Sequence, residues 1–266
     1  MYSTEVRKTA RRGRRKADSG DTVEGSDPGE WARRMLGFSP DEMQEHVLAT
    51  SSRRVLLNCT RQWGKSTITA AKAVHEAYTA PGSLTLVVSP SARQTAEFLR
   101  KAGDLLRRLH ICPRGDGDNE MSLMLPNRSR IVGVPGTEST VRGFSAVCLL
   151  LVDEAARVDD ETYLAMRPML AVSNGGLWLL STPCGKRGFF YEAWVAGGDE
   201  WERVRVPAEA CPRIRPEFLE EERRTLGERW YRQEYECEFQ DSTHGVFDRE
   251  VVERAITRKV RPLEFE

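Results

Sequence analysis

From Trp31 to about residue 205, short runs of β-branched residues and leucine alternate with longer segments whose apolar positions recur at helical spacing. Short apolar runs bounded by polar residues predict strands, and the longer periodic segments predict amphipathic helices. Such alternation is typical of βαβ units, so we expect an α/β fold with a mostly parallel central sheet and helices on both faces. The predicted strands are Val55–Cys59, Leu84–Ser89, Ser129–Val134, Val147–Val152 and Leu177–Ser181. The predicted helices include Ser66–Tyr78, Ser91–Leu109, Asp160–Leu170 and Gly188–Trp194.

Residues 1–30 differ from this pattern because they contain almost no apolar side chains. A basic block from Arg7 to Lys16 precedes an acidic block from Asp18 to Asp27. A segment that cannot bury apolar surface does not offset its ordering entropy, so we expect a disordered charged tail. The tail is either a solubilising segment or an arm that contacts DNA phosphates or another subunit.

After Val206 the chain becomes charged and helical, with predicted helices at Pro216–Thr225, Glu228–Glu236 and Arg249–Thr257. Aromatic residues recur there at helical spacing, which predicts that they share one helix face; they are Trp230, Tyr231, Tyr235 and Phe239. We therefore divide the chain into a tail (1–30), an α/β core (31–205) and a small helical lid or linker subdomain (206–266).

The composition is that of a globular protein, with 39% hydrophobic residues in 266. The 40 basic residues balance the 40 acidic ones, so any contact with nucleic acid must come from local patches. The sequence shows neither a long apolar run nor a secretory signal, so we expect a cytoplasmic protein without a membrane span. The six cysteines lack metal-ligand spacing, which favours reduced, mostly buried thiols over a zinc site.

A phosphate-binding loop is predicted where the first strand meets the first long helix. Its residues are Thr60, Arg61, Gln62, Trp63, Gly64, Lys65, Ser66 and Thr67. The backbone amides and the helix start would hold phosphate oxygens, Lys65 would neutralise charge on the β- and γ-phosphates, and the Ser66 hydroxyl would bind Mg²⁺. Cys59 stands where the common pattern has its first glycine. The loop predicts binding of ATP with Mg²⁺.

Two acidic residues follow the apolar run 149–152, at the end of another predicted strand. In nucleotide hydrolases one carboxylate in this place orders Mg²⁺ and its neighbour orients the attacking water. We assign Asp153 to the metal, bound directly or through water, and Glu154 to the role of general base or water positioner. The next strand ends in Ser181 and Thr182, whose hydroxyls can sense the γ-phosphate, although Ser-Thr-Pro is also a common turn.

With these motifs in place, residues 31–266 resemble the large subunit of phage terminases, the ATPases that package viral DNA. The resemblance rests on the arginine in the phosphate loop, Gln44 upstream of it, Ser89-Pro90, Arg142-Gly143-Phe144 and Asp153-Glu154-Ala155-Ala156. It also rests on the stretch from Trp230 to Asp241 and the following Val246-Phe247.

The resemblance implies a RecA-like ATPase core with a helical lid, working as a homo-oligomeric ring on the portal protein and acting on double-stranded DNA with a terminase small subunit. By the same resemblance Gln44 reads adenine and Arg61 is a second cation on the γ-phosphate. Arg142 is the candidate arginine finger, inserted into a neighbour's site, where a guanidinium can fork onto developing charge.

Family members continue into a nuclease domain of the RNase H type, and the present sequence stops at Glu266, about where that domain begins. We therefore expect ATP hydrolysis and translocation without DNA cleavage by this chain alone. Three explanations stay open: a split terminase with a separate nuclease subunit, a truncated chain, and a pseudogene-like fragment.

Two other classes of ATPase are disfavoured by the sequence, and one non-catalytic interpretation stays open. A helicase-type or other RecA-like DNA motor shares the acidic pair, but such helicases need a second RecA-like domain. The signature of ABC ATPases is absent before the acidic strand. A non-catalytic DNA-binding or assembly module that retains the fold is the remaining alternative.

Overall fold

The computed structural model describes residues 27–137 and 141–241 of the chain. The predicted tail up to residue 26, the predicted helix Arg249–Thr257 and the Val246-Phe247 pair lie outside the described residues. Among the helices that are described, none combines the length and the apolar character needed to cross a bilayer.

In the described part of the chain, seven strands form one sheet in the order β3-β4-β2-β5-β6-β1-β7. All neighbouring strands are parallel except β3, which runs antiparallel to β4. The strands are β1 (Arg54–Cys59), β2 (Leu84–Ser89), β3 (Ser122–Met124), β4 (Arg130–Pro135), β5 (Leu149–Asp153), β6 (Gly176–Ser181) and β7 (Glu202–Val206). The predicted mostly parallel sheet is confirmed, and each predicted strand agrees with an observed one to within about two residues.

The helices cover both faces of this sheet. They are α1 (Pro28–Leu36), α2 (Glu42–Ala49), α3 (Lys65–Thr79), α4 (Ala92–Arg108), α5 (Asp160–Met166), α6 (Gly188–Ala196), α7 (Pro216–Leu226) and α8 (Glu228–Glu234). The predicted helix Asp160–Leu170 is an α-helix only to Met166, after which Pro168 lies in a 3₁₀ turn spanning Arg167–Leu170. Proline lacks the N–H that a continuing α-helix would need.

Two apolar clusters form the core, one on each face of the sheet. Trp31, Trp63 and Phe98 belong to the cluster beneath α1–α4, whereas Phe189 and Phe190 belong to the cluster on the opposite face. Strand β5 is buried along its whole length because it contributes to both. This burial explains why its sequence is almost uninterruptedly apolar.

The predicted aromatic face after Val206 is wrong in two of its four members. Tyr231 and Tyr235 pack together in a small cluster, but Trp230 is exposed. Phe239 lies beyond α8 and packs against Phe190. The chain leaves helical geometry after Glu234, so helical spacing no longer determines where Phe239 points.

The expectation of mostly buried thiols holds for only half of the cysteines. Cys59, Cys211 and Cys237 are buried, whereas Cys112 is exposed and the other two are partly buried.

Candidate nucleotide site

The loop between β1 and α3 has the backbone of a phosphate-binding loop. Gln62 and Gly64 adopt positive φ values of 65° and 98°, which turn the chain sharply before α3 begins at Lys65. No side chain caps α3. A helix start of this kind presents its N–H groups and its positive dipole end to an anion.

Two neighbouring side chains hold this loop against the core. The Trp63 indole is fully buried, and the backbone carbonyl oxygen of Trp63 accepts hydrogen bonds from Gln44 Nε2, at 2.9 Å, and from Arg213. Gln44 Oε1 also accepts from the Asp41 amide at 3.1 Å, within a capping box that starts α2. Gln44 therefore braces the loop through both ends of its side-chain amide.

Glycine is needed at position 64 for two reasons. Its φ of 98° is unfavourable for residues with a side chain, and an added Cβ would lie 3.2 Å from Gln44 Nε2. The turn and the Gln44 brace thus depend on the same residue.

Thr60 and Arg61 connect the start of the loop to helix α8. The Thr60 hydroxyl donates to the Glu234 carbonyl oxygen at 3.1 Å, and Arg61 Nε donates to Glu234 Oε2 at 2.5 Å. The Glu234 carboxylate, through this hydrogen bond, raises the pKa of Arg61. Thr60 is buried in this contact, whereas Arg61 stays largely exposed beside the loop.

Asp153 is the last residue of β5 and lies next to the helix that carries Ser66. The Ser66 hydroxyl is 3.4 Å from Asp153 Oδ2. Burial, followed by the charge of neighbouring Glu154, raises the pKa of Asp153 to about 6. The other carboxylate oxygen accepts from the Glu154 backbone N–H at 3.1 Å, and a cation nearby would stabilise the charged form of this buried group.

A second hydroxyl lies beside the same carboxylate. Ser89 ends β2, and the pairing of Val88 with Val152 puts Ser89 next to Asp153 on the same face of the sheet. The Ser89 hydroxyl is fully buried and has no hydrogen-bond partner among the described residues. Hydroxyl and carboxylate oxygens around one point fit Mg²⁺, which prefers oxygen ligands and retains several waters.

Glu154 has a strained backbone and two cationic partners. Its φ of 53° lies in the left-handed region, directly after β5. One carboxylate oxygen is 3.2 Å from Lys65 Nζ, and the other accepts from Arg157 Nη1 at 2.8 Å. The structure therefore brings together Lys65 of the phosphate loop and the acidic pair, as the sequence predicts.

The third motif is only partly brought to this site. Thr182 Oγ1 is 3.3 Å from Arg157 Nη1 and so lies within reach of Glu154. Ser181 pairs with Asn58, and its buried hydroxyl points to the face opposite Asp153, because Asp153 pairs with the preceding Leu180. Of the two candidate coupling residues, the structure brings Thr182 to the acidic pair and leaves Ser181 away from it.

Arg142 lies far from the phosphate loop of its own chain. It lines a cavity of about 350 Å³ together with Leu84 and Arg130, the first residues of β2 and β4. The phosphate loop follows the other end of its strand, and a six-residue strand is about 20 Å long. Arg142 and the loop thus occupy opposite ends of the sheet.

Two residues of the site, Arg157 and Glu234, were assigned no role from the sequence. Arg157 follows Glu154 by three residues and contacts it through a 3₁₀ turn, Ala155–Arg157. Glu234, buried on α8, accepts from Arg61 and lies 3.7 Å from Arg157. A run of charge in a helical segment looks like a solvated face, so only the packing of α8 reveals Glu234.

Comparison with known proteins gives the same family from sequence and from structure. The family profile described as "Terminase large subunit, T4likevirus-type, N-terminal" matches residues 56–254. The terminase large subunit of Thermus phage G20c is 24% identical over 249 residues, covering 80% of this chain and 51% of that protein. The chain thus spans about half the length of this curated relative.

Solved structures show the same fold. The ATPase domain of the large terminase from Thermus phage P74-26 superposes with a TM-score of 0.72 at 22% identity, covering 81% of this chain and 100% of that domain. A large terminase from a thermophilic bacteriophage, solved in complex with ADP, gives a TM-score of 0.60 at 13% identity, covering 80% of this chain and 52% of that one. The sheet, the phosphate loop and the profile match together show that the chain has the RecA-like fold and belongs to the terminase large subunit family.

Proposed function

We propose that this chain binds ATP with Mg²⁺ at the loop before α3 and hydrolyses it to drive double-stranded viral DNA into a procapsid. The observation that carries the proposal is the meeting of Lys65, Ser66, Asp153 and Glu154 at the uncapped start of α3. The ADP complex of the related thermophilic phage terminase supports nucleotide binding.

Each side chain then has a distinct task. The amides at the start of α3 and the Lys65 ammonium bind the phosphate oxygens. Ser66 and Asp153 would hold Mg²⁺, which supplies charge neutralisation when bound. Glu154 orients a water molecule and accepts its proton during attack on the γ-phosphate. Arg61, beside the loop, adds a second cation.

The position of Arg142 supports a ring in which neighbouring chains complete each other's sites. Because Arg142 lies at the other end of the sheet from its own loop, it can serve as an arginine finger only in a neighbouring subunit. We infer a homo-oligomeric ring on the portal protein in the host cytoplasm, with a terminase small subunit as a further partner.

Phosphate release tests the proposal directly. Purified protein with Mg²⁺-ATP, DNA and portal should release phosphate at a rate at least tenfold above a Lys65→Ala variant. Lys72→Met is a matched control, because Lys72 lies in the middle of the same helix, two turns from Lys65, and donates to the Leu48 and Thr50 carbonyl oxygens. Equal rates for the wild-type protein and Lys65→Ala would overturn the proposal and favour a non-catalytic assembly module.

A further inference from the structure

Arg157 contacts three different elements from its place on the turn after β5. Its Nη1 atom is 2.8 Å from Glu154 Oε2 and 3.3 Å from Thr182 Oγ1, and its Nη2 atom is 3.7 Å from Glu234 Oε1. These partners lie at the end of β5, after β6 and on α8. Arg157 is therefore the point where the strand ends meet the helical segment that follows β7.

The charges around Arg157 are arranged in an alternating chain. Lys65 pairs with one oxygen of Glu154, and Arg157 pairs with the other. Arg157 also faces Glu234, whose second oxygen pairs with Arg61. A planar guanidinium can serve two carboxylates at once, which an ammonium on a flexible stem does less well.

Burial makes these contacts more than surface ion pairs. The side chains of Glu234, Glu154 and Arg157 are only 9%, 21% and 31% exposed. Exposed ion pairs contribute little free energy, but charges withdrawn from water depend strongly on their partners. Removing the Arg157 guanidinium would leave one oxygen of Glu154 and one of Glu234 without their cation.

We propose that Arg157 is a positioning residue for ATP hydrolysis, which fixes the Glu154 carboxylate and ties its orientation to Thr182 and to Glu234 on α8. The inference rests on the proposed function, since Glu154 acts on water only if the chain hydrolyses ATP. A carboxylate held by Lys65 alone can rotate, whereas two cations on its two oxygens define its plane. Because Glu234 shares Arg157, a displacement of α8 changes how firmly Glu154 is held.

Steady-state kinetics of Arg157→Gln and Arg157→Lys test the positioning role. We expect Arg157→Gln to lower kcat on the order of 10- to 100-fold, with the KM for ATP and the affinity for a fluorescent ADP analogue changed less than threefold. Arg157→Lys keeps the charge and should recover part of the lost kcat. Arg205→Gln is the matched control, because Arg205 joins β7 to the Glu236 carbonyl oxygen without contacting Glu154.

A double-mutant cycle tests the link to α8. If Arg157 and Glu234 act together, the combined loss of kcat in Arg157→Gln with Glu234→Gln should be clearly smaller than the product of the single losses. Independent, multiplying losses would overturn the link to α8. A second double-mutant cycle, which combines Arg157→Gln with Thr182→Val, tests the link to the end of β6 in the same way.

The outcomes separate this inference from the proposed function. Turnover by the wild-type protein together with an unchanged kcat in Arg157→Gln overturns the positioning role and leaves the proposed function standing. A fall in nucleotide affinity and melting temperature without a specific fall in kcat would assign Arg157 to folding instead. Absence of turnover in the wild-type protein, at the level of Lys65→Ala, overturns both. If Arg157→Gln does not fold, Arg157→Lys decides by the same comparison of kcat with KM.

Discussion

The two ends of the parallel sheet carry charge in different ways. At the carboxyl ends of β1, β5 and β6, cations and carboxylates alternate in a partly buried network around Glu154. At the amino ends, Arg142 lines a cavity with Arg130, and Arg54 has its pKa lowered by burial and then by the charge of Arg167. One end holds a network in which carboxylates and cations alternate around Glu154, whereas the other brings several arginines near the starts of the strands.

Under the proposed function, each chain would contribute two different parts to catalytic sites, one from each end of its sheet. Strand ends and a helix start at the carboxyl end provide the phosphate loop and the acidic pair, as is usual for ligand sites in open α/β sheets. The arginine at the amino end cannot reach this site from within the same chain. The predictions below test the two ends separately.

The largest effect is expected at the amino end. If Arg142 acts in a neighbouring subunit, Arg142→Ala should lower ATP turnover by roughly 10³- to 10⁵-fold, as for other arginine fingers. Mixing it with Lys65→Ala subunits should restore part of the activity, because each supplies what the other lacks. Turnover is measured across mixing ratios.

Arg130→Gln is the control, since Arg130 lines the same cavity and pairs with Asp116 of its own chain at 3.4 Å. Failure of the mixed subunits to recover activity would count against an arginine acting between subunits. The amino end of one chain would then not contribute to the nucleotide site at the carboxyl end of another.

At the carboxyl end, Glu154→Gln should separate binding from chemistry. The amide keeps the shape of the carboxylate but cannot accept a proton, so we expect turnover to fall by roughly 10²- to 10⁴-fold with nucleotide affinity retained. Titration with a fluorescent ATP analogue and phosphate release measure the two quantities.

Glu161→Gln, on the exposed side of α5, is the control and should behave as the wild-type protein. Loss of nucleotide binding by Glu154→Gln would show that Glu154 maintains the loop through Lys65 instead of acting on water.

A smaller effect is expected at Gln44, beside the phosphate loop. Gln44→Ala removes the side-chain amide together with its brace on Trp63, so ADP affinity should fall on the order of tenfold. GDP affinity should fall less, because the resemblance to terminases assigns adenine recognition to Gln44. Calorimetric titration with both nucleotides measures the difference.

Asp41→Ala is the matched control, since it removes the other half of the capping box and leaves the Gln44 side chain in place. An equal loss of affinity for ADP and GDP would show that Gln44 supports the phosphate loop without recognising the base.

The smallest effect concerns stability and pH. Burial, with a minor contribution from Lys72, lowers the pKa of His75 to about 4. The unfolded chain binds that proton near pH 6.5 and the folded protein only near pH 4, so stability should fall as the pH drops from about 6.5 towards 4. His75→Phe keeps the edge-to-face contact with Trp31. The fall in Tm between neutral and acidic pH should therefore be smaller in this variant than in the wild-type protein by roughly a few degrees.

Thermal unfolding at pH 7.5 and pH 5.5 measures the effect. His110→Gln, at an exposed position, should melt like the wild-type protein at both values. An identical pH dependence in His75→Phe would assign the acid sensitivity to other groups.

The fold was predictable from the sequence wherever the burial of side chains produces a recognisable hydrophobic pattern, either an apolar run or a helical repeat. The fully buried β5 and β2 are apolar runs, and α3 and α4 have clear helical spacing, so each was located to within a few residues. Strand β7 was missed because it is short and only Val204 and Val206 are apolar, so the charged residues Glu202, Arg203 and Arg205 hide its brief alternation. The division into tail, core and lid stays a prediction.

The candidate site was predictable where one short segment carries the chemistry. Lys65 and Glu154 each follow a recognisable strand, and their 3.2 Å contact joins two local signals. The sequence could not show which of the adjacent hydroxyls of Ser181 and Thr182 lies at the site, because the strand register decides which of them faces Asp153. Arg157 and Glu234 meet across 77 residues of sequence, and only tertiary packing brings them together.

The place of β1 in the sheet has a consequence for synthesis on the ribosome. Strand β1 pairs only with β6 and β7, which are translated more than 100 residues later. At translation rates of about 5 to 20 residues per second, the apolar run Val55-Leu56-Leu57 is without its partners for roughly 6 to 25 seconds. During that interval it is an unpaired strand that chaperones can bind and that can aggregate. The strand that leads into the phosphate loop is thus synthesised before the other strands of the sheet, but it can pair only after β6 and β7 have been made.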